Sequence, residues 1–131
     1  MYYKEMEMTT KTYLTTEQFI KVFKSLSDEK KKELSAAHNN AWSESWARAW
    51  DEAWDEMWYE MWDESWARAW DRVRDEAWVE VWEAARDTDL AIRTKDFIPT
   101  EHFDTLISPW TSCGLSLYAE DWEDVLKGVE V

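Results

Sequence analysis

The sequence predicts an all-α protein, and three observations support this fold class. Residues 1–98 contain no glycine and no proline, the residues that most often interrupt helices. Tryptophan recurs every four residues from Trp42 to Trp70 and again at Trp78 and Trp82. This spacing disfavours a strand, which would alternate every two residues and in which Ala, Asp and Glu are depleted.

Two segments precede the repeat. Residues 1–14 show no periodic pattern, and we expect them to form a flexible tail. Residues 15–40 are predicted to form a helical hairpin that leads into the repeat. Thr15 is a good N-cap, with Gln18 three residues later in the position of a capping box. Ser27 is the predicted N-cap of the second helix.

The repeat covers residues 41–86. Its four-residue units, or tetrads, mostly consist of a small or flexible residue, a tryptophan and two mostly polar residues. We call the line of tryptophans along the repeat the Trp row. Side chains four residues apart on an α-helix advance by about 400°, so the Trp row drifts by about 40° per tetrad. Repeats longer than the natural helical period impose a right-handed supercoil. We therefore predict one long helix in a right-handed coiled coil.

The Trp row also predicts self-association. Burying one indole removes roughly 150–250 Å² from water, worth about 4–6 kcal/mol at ~25 cal/mol per Å². A helix of about 45 residues is about 68 Å long, whereas two flanking helices of about ten residues cover only about 15 Å each. We therefore expect a parallel homo-oligomer of three to five chains with a tryptophan-zipper core. The predicted oligomer core is Trp42, Trp46, Trp50, Trp54, Trp58, Trp62, Trp66, Trp70, Trp78 and Trp82.

Residues 87–131 are predicted to form a helical cap at the end of the coiled coil. Leu90 is an expected core residue of the first cap helix, which prolongs the repeat. Pro99 and Pro109 fit the first positions of two short helices. Gly128 is placed to terminate the last helix.

The chain resembles a group of uncharacterised bacterial and bacteriophage proteins in which tetrads lead into a terminal cap. The resemblance covers about residues 41–115. It rests on the tetrads of residues 41–85 and on the segment IPTEHFDTLISPW, in particular Ile98, His102, Phe103, Asp104, Leu106, Pro109 and Trp110. It implies a tetrad-repeat helix with a cap and carries no assigned activity.

Charge and composition limit the partners and the compartment. The net charge of −14 disfavours binding to nucleic acid and to anionic membranes, and it attracts basic proteins. A solvated acidic face that keeps a Trp-rich oligomer soluble is the simpler explanation. No apolar run approaches ~18 residues, the length of a membrane span. The single Cys113 fits a reducing compartment, so we expect a cytoplasmic protein.

Arg74 occupies a tryptophan place in the repeat. One hypothesis is a guanidinium held between the indoles of Trp70 and Trp78 by cation–π contacts, where it binds an anion or sets the register of the oligomer. The alternative is that the Trp row has drifted outward at this point, so that Arg74 extends into water.

The residues do not predict catalysis, a metal site or a cofactor. His38 and His102 are isolated in the sequence, and neither has a helical partner at metal-ligand spacing. Cys113 has no basic neighbour that would activate its thiol. The sequence contains no phosphate-binding glycine loop and no nucleophile elbow.

Three functions therefore remain open. The first is a structural oligomerisation or interaction module. The second is an acidic inhibitor of the bacteriophage or immunity type that occupies a basic site on another protein. The third is ligand binding in a Trp-lined central channel.

Overall fold

A computed structural model describes residues 11–60, 62–75 and 79–130 of the chain. Within these residues the secondary structure is helical apart from one bridge between Tyr13 and Tyr118, as the sequence predicted. The helices are α1 (Thr16–Ser25), α2 (Asp28–Ala41), α3 (Glu44–Glu60), α4 (Glu64–Arg74), α5 (Val79–Thr94), α6 (Thr100–Ser112), a 3₁₀ turn (Ala119–Trp122) and α7 (Glu123–Glu130). Among the described helices, none combines the length and the apolar character needed to cross a membrane.

Helix α5 lies at the centre of the fold. It packs against α1, α2, α3, α4 and α6. Its second half, from Ala84 onward, is buried on almost every side, which agrees with a sequence that offers no continuous polar face. These five helices surround α5, whereas α7 packs against α1 and the 3₁₀ turn.

The prediction of one long helix is wrong, because the repeat is divided among α3, α4 and α5. Helix α3 ends at Glu60, and α4 begins at Glu64 after the N-cap Asp63. The Asp63 carboxylate accepts a hydrogen bond from the backbone N–H of Ser65 at 2.9 Å. Helix α4 ends at Arg74, and α5 begins at Val79. The tetrads therefore form a folded-back bundle and not a coiled-coil strand.

The drift of the Trp row is visible along α3. Trp46 near the start of the helix is 1% exposed, whereas Trp58 near its end is 58% exposed. The buried line of α3 instead continues through Ala49, Ala53 and Met57, at spacings that average about 3.6 residues per turn. Relative to Trp46, Trp58 has rotated by about 120°, and it points away from the core.

The chain corrects this drift by breaking the helix. After the break, Trp66 and Trp70 in α4 are again buried, and α4 is so short that the drift between them is only about 40°. Trp82 in α5 is also buried. Four indoles of the repeat, including Trp46, are thus sheltered inside a single chain. These four indoles therefore do not need a second chain to cover them.

At the N-terminal side, both predicted caps are confirmed. Thr15 and Gln18 form a capping box at the start of α1, and the Ser27 side chain caps α2. The prediction of a flexible tail is wrong for residues 11–14, because Leu14 is fully buried and its N–H donates to the carbonyl of Leu117 at 2.9 Å. The rest of that tail, residues 1–10, lies outside the described residues.

The cap helices differ from the prediction in their ends. Pro109 does not begin a helix but lies inside α6, which starts at Thr100. Proline has no N–H to donate to the carbonyl of Thr105 four residues earlier, and the Ser108 hydroxyl donates to that carbonyl instead, at 2.8 Å. Gly128 likewise lies within α7 and does not end it.

Candidate functional site

A buried carboxylate organises the centre of the bundle. Asp89 of α5 is 0% exposed. Its Oδ2 atom accepts hydrogen bonds from the indole N–H of Trp66 at 2.8 Å, the indole N–H of Trp70 at 2.9 Å and the hydroxyl of Thr16 at 2.9 Å. Its Oδ1 atom lies 3.2 Å from the Arg93 guanidinium. Two residues of the Trp row are thus anchored by one carboxylate.

Burial and the neighbouring charge and donors shift the pKa of Asp89 in opposite directions. Burial raises the pKa of the Asp89 carboxyl above its ordinary value, and the charge of Arg93 and the indole and hydroxyl donors act to lower it. The guanidinium of Arg93 also donates to the carbonyl of Leu14, so it links α5 to the segment that precedes α1. Three hydrogen bonds to Oδ2 and the Arg93 ion pair at Oδ1 hold the Asp89 carboxylate within the fold. This carboxylate therefore has a structural role.

A second buried carboxylate, Asp87, lies next to side chains of α2 and α3. Its Oδ1 atom accepts from the indole N–H of Trp50 at 3.1 Å and from the Arg86 guanidinium at 2.9 Å. His38 of α2 lies close, with Nε2 at 3.8 Å from Oδ2 of Asp87, and its ring packs edge-on against Trp46. His38, which is isolated in the sequence, thus lies beside a buried carboxylate in the fold.

A guanidinium that contacts two indoles is present at Arg86. The Arg86 guanidinium lies 4.6 Å from the ring centre of Trp82 and 5.8 Å from that of Trp54. Arg74 is exposed, and its guanidinium lies 5.7 Å from the ring centre of Trp82. Its predicted neighbour Trp78 lies outside the described residues. The exposure of Arg74 agrees with outward drift, and a role in register or anion binding stays a prediction.

Asp87 and Asp89 were not predicted as functional residues from the sequence. The sequence offers a signal for Asp89 alone, because it precedes Arg93 by four residues, the spacing of an ion pair on a helix. Acids are seldom fully buried unless they are paired. The partners on α1, α3 and α4 are 19 to 73 positions away in the chain and cannot be identified from local spacing.

The surface carries an exposed aromatic cluster where α3 meets α4. Trp58, Tyr59 and Trp62 are 58%, 80% and 44% exposed. The rings of Trp58 and Trp62 contact each other edge to face, with centres 4.4 Å apart. We call these three residues, together with the acidic side chains of residues 51–64, the acidic aromatic corner.

The charge of this corner has one sign. Residues 51–64 contain seven acidic side chains and no basic one. Five of the seven are exposed, namely Asp51, Asp55, Glu60, Asp63 and Glu64. Their number makes the local potential strongly negative. Exposed rings in such a field favour contact with cations.

The predicted oligomer-core tryptophans therefore occupy different environments in the chain. Those that are buried are Trp46, Trp66, Trp70 and Trp82, those that are partly buried are Trp50 and Trp54, and those that are exposed are Trp42, Trp58 and Trp62. Whether the exposed rings meet another chain stays a prediction.

Two further side chains with reactive groups, His102 and Cys113, interact with other residues of the fold. His102 Nδ1 lies 3.2 Å from a carboxylate oxygen of Glu52, which joins α6 to α3. Burial raises the pKa of the Cys113 thiol, which disfavours the nucleophilic thiolate. Within the part of the chain that the structure describes, no cluster of three His, Cys, Asp or Glu side chains is arranged to hold a metal ion.

Comparison of the chain with protein-family models, with curated proteins and with solved structures found no match.

Proposed function

We propose that this chain is a non-enzymatic interaction module that binds a basic segment of another protein through its acidic aromatic corner. The exposure of Trp58, Tyr59 and Trp62 supports this proposal. The fold buries other tryptophans of the same repeat and anchors them to Asp89. These three rings remain at the surface, next to one another along the chain.

The kind of side chain at the corner supports binding to protein. Tryptophan and tyrosine are enriched at the energetic centres of protein interfaces, because each buries a large rigid surface at low entropic cost. A ring of acidic residues around such a centre resembles the polar rim of an interface. The corner thus offers both an apolar centre and a charged border.

The charge of the corner supports a basic partner. Arginine can stack on an indole while its guanidinium pairs with a carboxylate, and residues 51–64 supply both groups. Opposite charge also accelerates association. An inhibitor that covers a basic site on its target is one form that such a module can take.

The interior supports a role without catalysis. Asp87 and Asp89 are engaged by tryptophan, threonine and arginine side chains of the same fold. A carboxylate that anchors the core in this way is not available as a general acid or base without disrupting the packing.

Self-association is the second candidate, and the exposed Trp58–Trp62 pair favours it, because a second copy could cover both rings. Such an assembly would not be a parallel right-handed coiled coil, since the helix breaks at Glu60 and Arg74 remove the continuous strand that it requires. Two acidic corners repel each other, so self-association through them should strengthen as salt screens the charge.

The test uses the full chain and a labelled peptide of alternating arginine and alanine, with a lysine version and a glutamate version for comparison. We expect the arginine peptide to bind best, the glutamate peptide not to bind, and affinity to fall with added salt. The triple substitution Trp58→Ala, Tyr59→Ala and Trp62→Ala should weaken binding at least about tenfold. Phe97→Ala, at an exposed ring elsewhere, is the matched control and should change little.

Light scattering on the same samples separates the two candidates. A single-chain mass at every salt concentration supports the basic-partner function. A mass that rises with salt and returns to one chain in the triple variant supports self-association. If the arginine peptide fails to bind at low salt, or binds equally to the triple variant, the basic-partner proposal is wrong.

A further inference from the structure

A cleft of about 750 Å³ opens between α1 and α4, beside the acidic aromatic corner. Its apolar lining includes Ile20 of α1, Met57 of α3, and Trp66 and Val73 of α4. The Trp66 ring is held in place because its N–H donates to the buried Asp89 at 2.8 Å. The cleft therefore presents a pre-positioned aromatic surface within a volume suited to a small organic molecule.

The cations around the cleft contrast with the charge of the molecule. Four basic side chains line it, namely Lys21, Lys24, Arg72 and Arg93, against two acidic ones, Glu17 and Asp63. The whole chain has 29 acidic and 15 basic residues. The cleft thus reverses the general ratio, and its local charge is positive.

Two of these cations are available to a ligand. Arg93 is paired with Asp89, and the Asp63 carboxylate is engaged in capping α4. Among the residues that the structure describes, neither Lys21 nor Arg72 has a carboxylate within ion-pair distance, although acids outnumber bases almost two to one. They belong to the two helices that form opposite walls of the cleft.

We propose that this cleft binds a small amphipathic anion, such as a carboxylic acid with an apolar chain. The carboxylate is placed between Lys21 and Arg72, and the apolar part lies over Trp66 and Val73. Arginine and lysine on opposite walls provide one directional and one flexible donor for the same carboxylate. This site borders the acidic corner and shares Asp63 with it, but its basic side chains attract anions whereas the corner attracts cations, so one molecule can bind both kinds of partner.

Head-group chemistry provides the test. Decanoate, decanol and decyltrimethylammonium share one apolar chain and carry a negative, a neutral and a positive head. Each is titrated into the full chain below the concentration at which micelles form, by calorimetry and by Trp fluorescence. We expect saturable 1:1 binding of decanoate and at least tenfold weaker binding of the other two. Equal binding of all three, or no saturable binding of decanoate, would overturn the proposal.

Charge-neutralising variants locate the site. The double substitution Lys21→Gln and Arg72→Gln should weaken decanoate binding at least tenfold while the far-UV circular dichroism spectrum is unchanged. The matched control is Lys32→Gln with Arg68→Gln, which removes the same two charge types at exposed positions outside the cleft. If both double variants weaken binding equally, the site is not this cleft.

A second variant tests the apolar wall. Ala69→Trp, at a partly buried position in the α4 wall, fills the cleft and should prevent decanoate binding without removing any charge. If Ala69→Trp alters the circular dichroism spectrum, Ile20→Trp closes the cleft from the other wall and is used instead. Undiminished binding to a folded, filled variant would contradict the proposal. None of these outcomes depends on the corner, so this proposal and the proposed function can fail separately.

Discussion

Two pairs of tryptophans in the same four-residue repeat occupy opposite environments. The first pair is Trp58, near the end of α3, and Trp62, in the break that follows; the second pair is Trp66 and Trp70 in α4. Trp66 and Trp70 are buried and donate to Asp89. Trp58 and Trp62 are exposed and contact mainly each other. The comparison shows that the tetrad does not by itself assign a tryptophan to the core.

The difference arises from the length of helix that precedes each ring. In α3 the Trp row has drifted for three tetrads by Trp58, about 120° in all, whereas in α4 it drifts only about 40° between its two rings. A supercoil is one way to absorb the mismatch between four and 3.6 residues per turn. This chain uses helix breaks instead. Trp58, the ring that has drifted furthest along α3, lies in the acidic aromatic corner together with Trp62, which follows the end of that helix.

The largest expected effect separates the two kinds of tryptophan directly. Trp70→Ala should lower the free energy of unfolding by about 3–5 kcal/mol, because it leaves a cavity in the core. Trp58→Ala, the same substitution in the same repeat, should cost no more than about 1 kcal/mol, the worth of its contact with Trp62. Urea unfolding followed by far-UV circular dichroism measures both without relying on tryptophan emission.

Equal losses for the two variants would contradict the intrachain core. If Trp70→Ala does not fold, Trp70→Phe replaces it. Phenylalanine keeps most of the apolar surface but leaves Asp89 without one indole donor. It should therefore cost less than the alanine variant and still more than Trp58→Ala.

The pH dependence of stability sharpens the comparison through Asp89. Burial raises the pKa of this carboxyl above its ordinary value of 3.8. The folded state therefore binds the Asp89 proton more tightly than the unfolded state does. The resulting contribution to the free energy of unfolding is complete below the unfolded pKa and is lost as pH rises through the folded pKa. The free energy of unfolding of the parent minus that of Asp89→Asn should fall as pH rises above about 4, by at most about 1.4 kcal/mol per pH unit.

Asp63, at the break between α3 and α4, should show the opposite dependence of stability on pH. Hydrogen bonds from Ser65 lower the pKa of its carboxyl, so its contribution is present above the unfolded pKa and is lost as pH falls through the folded pKa. The same difference measured for Asp63→Asn should therefore rise with pH. A parent-minus-variant difference that moves in the same direction for both residues would refute this assignment.

The smallest expected effect concerns the missing tryptophan at position 74. Arg74→Trp restores the four-residue spacing at a position about 80° beyond Trp66 around α4, where the native side chain is exposed. The free energy of unfolding should change by no more than about 0.5 kcal/mol. Light scattering should show an unchanged mass and an unchanged response to salt. An increase in mass would instead give Arg74 a role in limiting association.

Part of this fold was predictable because the relevant interactions are local. The capping box of Thr15 and Gln18 and the cap at Ser27 involve residues only three positions apart. Helix itself followed from a repeat whose spacing and composition favour a helix over a strand. The ends of the helices were less predictable, as Pro109 shows: its helix continues because Ser108 satisfies a carbonyl that proline leaves unbonded.

The candidate site was predictable only in its composition. The acidic, Trp-rich character of residues 51–64 is plain in the sequence, but the identity of the exposed rings depends on where the helix breaks. The cleft was not predicted at all, because Lys21 and Arg72 are 51 positions apart and meet only through the packing of α1 against α4.

The sequence by itself determined that the chain is helical, where its first helices begin, and that most of its charge is negative. Only the tertiary structure decided which tryptophans are buried and what shelters them. The physical reason is that helix formation depends on neighbours within about one turn, whereas burial depends on partners such as Asp89 and Thr16, which are 73 positions apart. A periodic row of large rings requires shelter, and a break of a few residues allows the same chain to provide it.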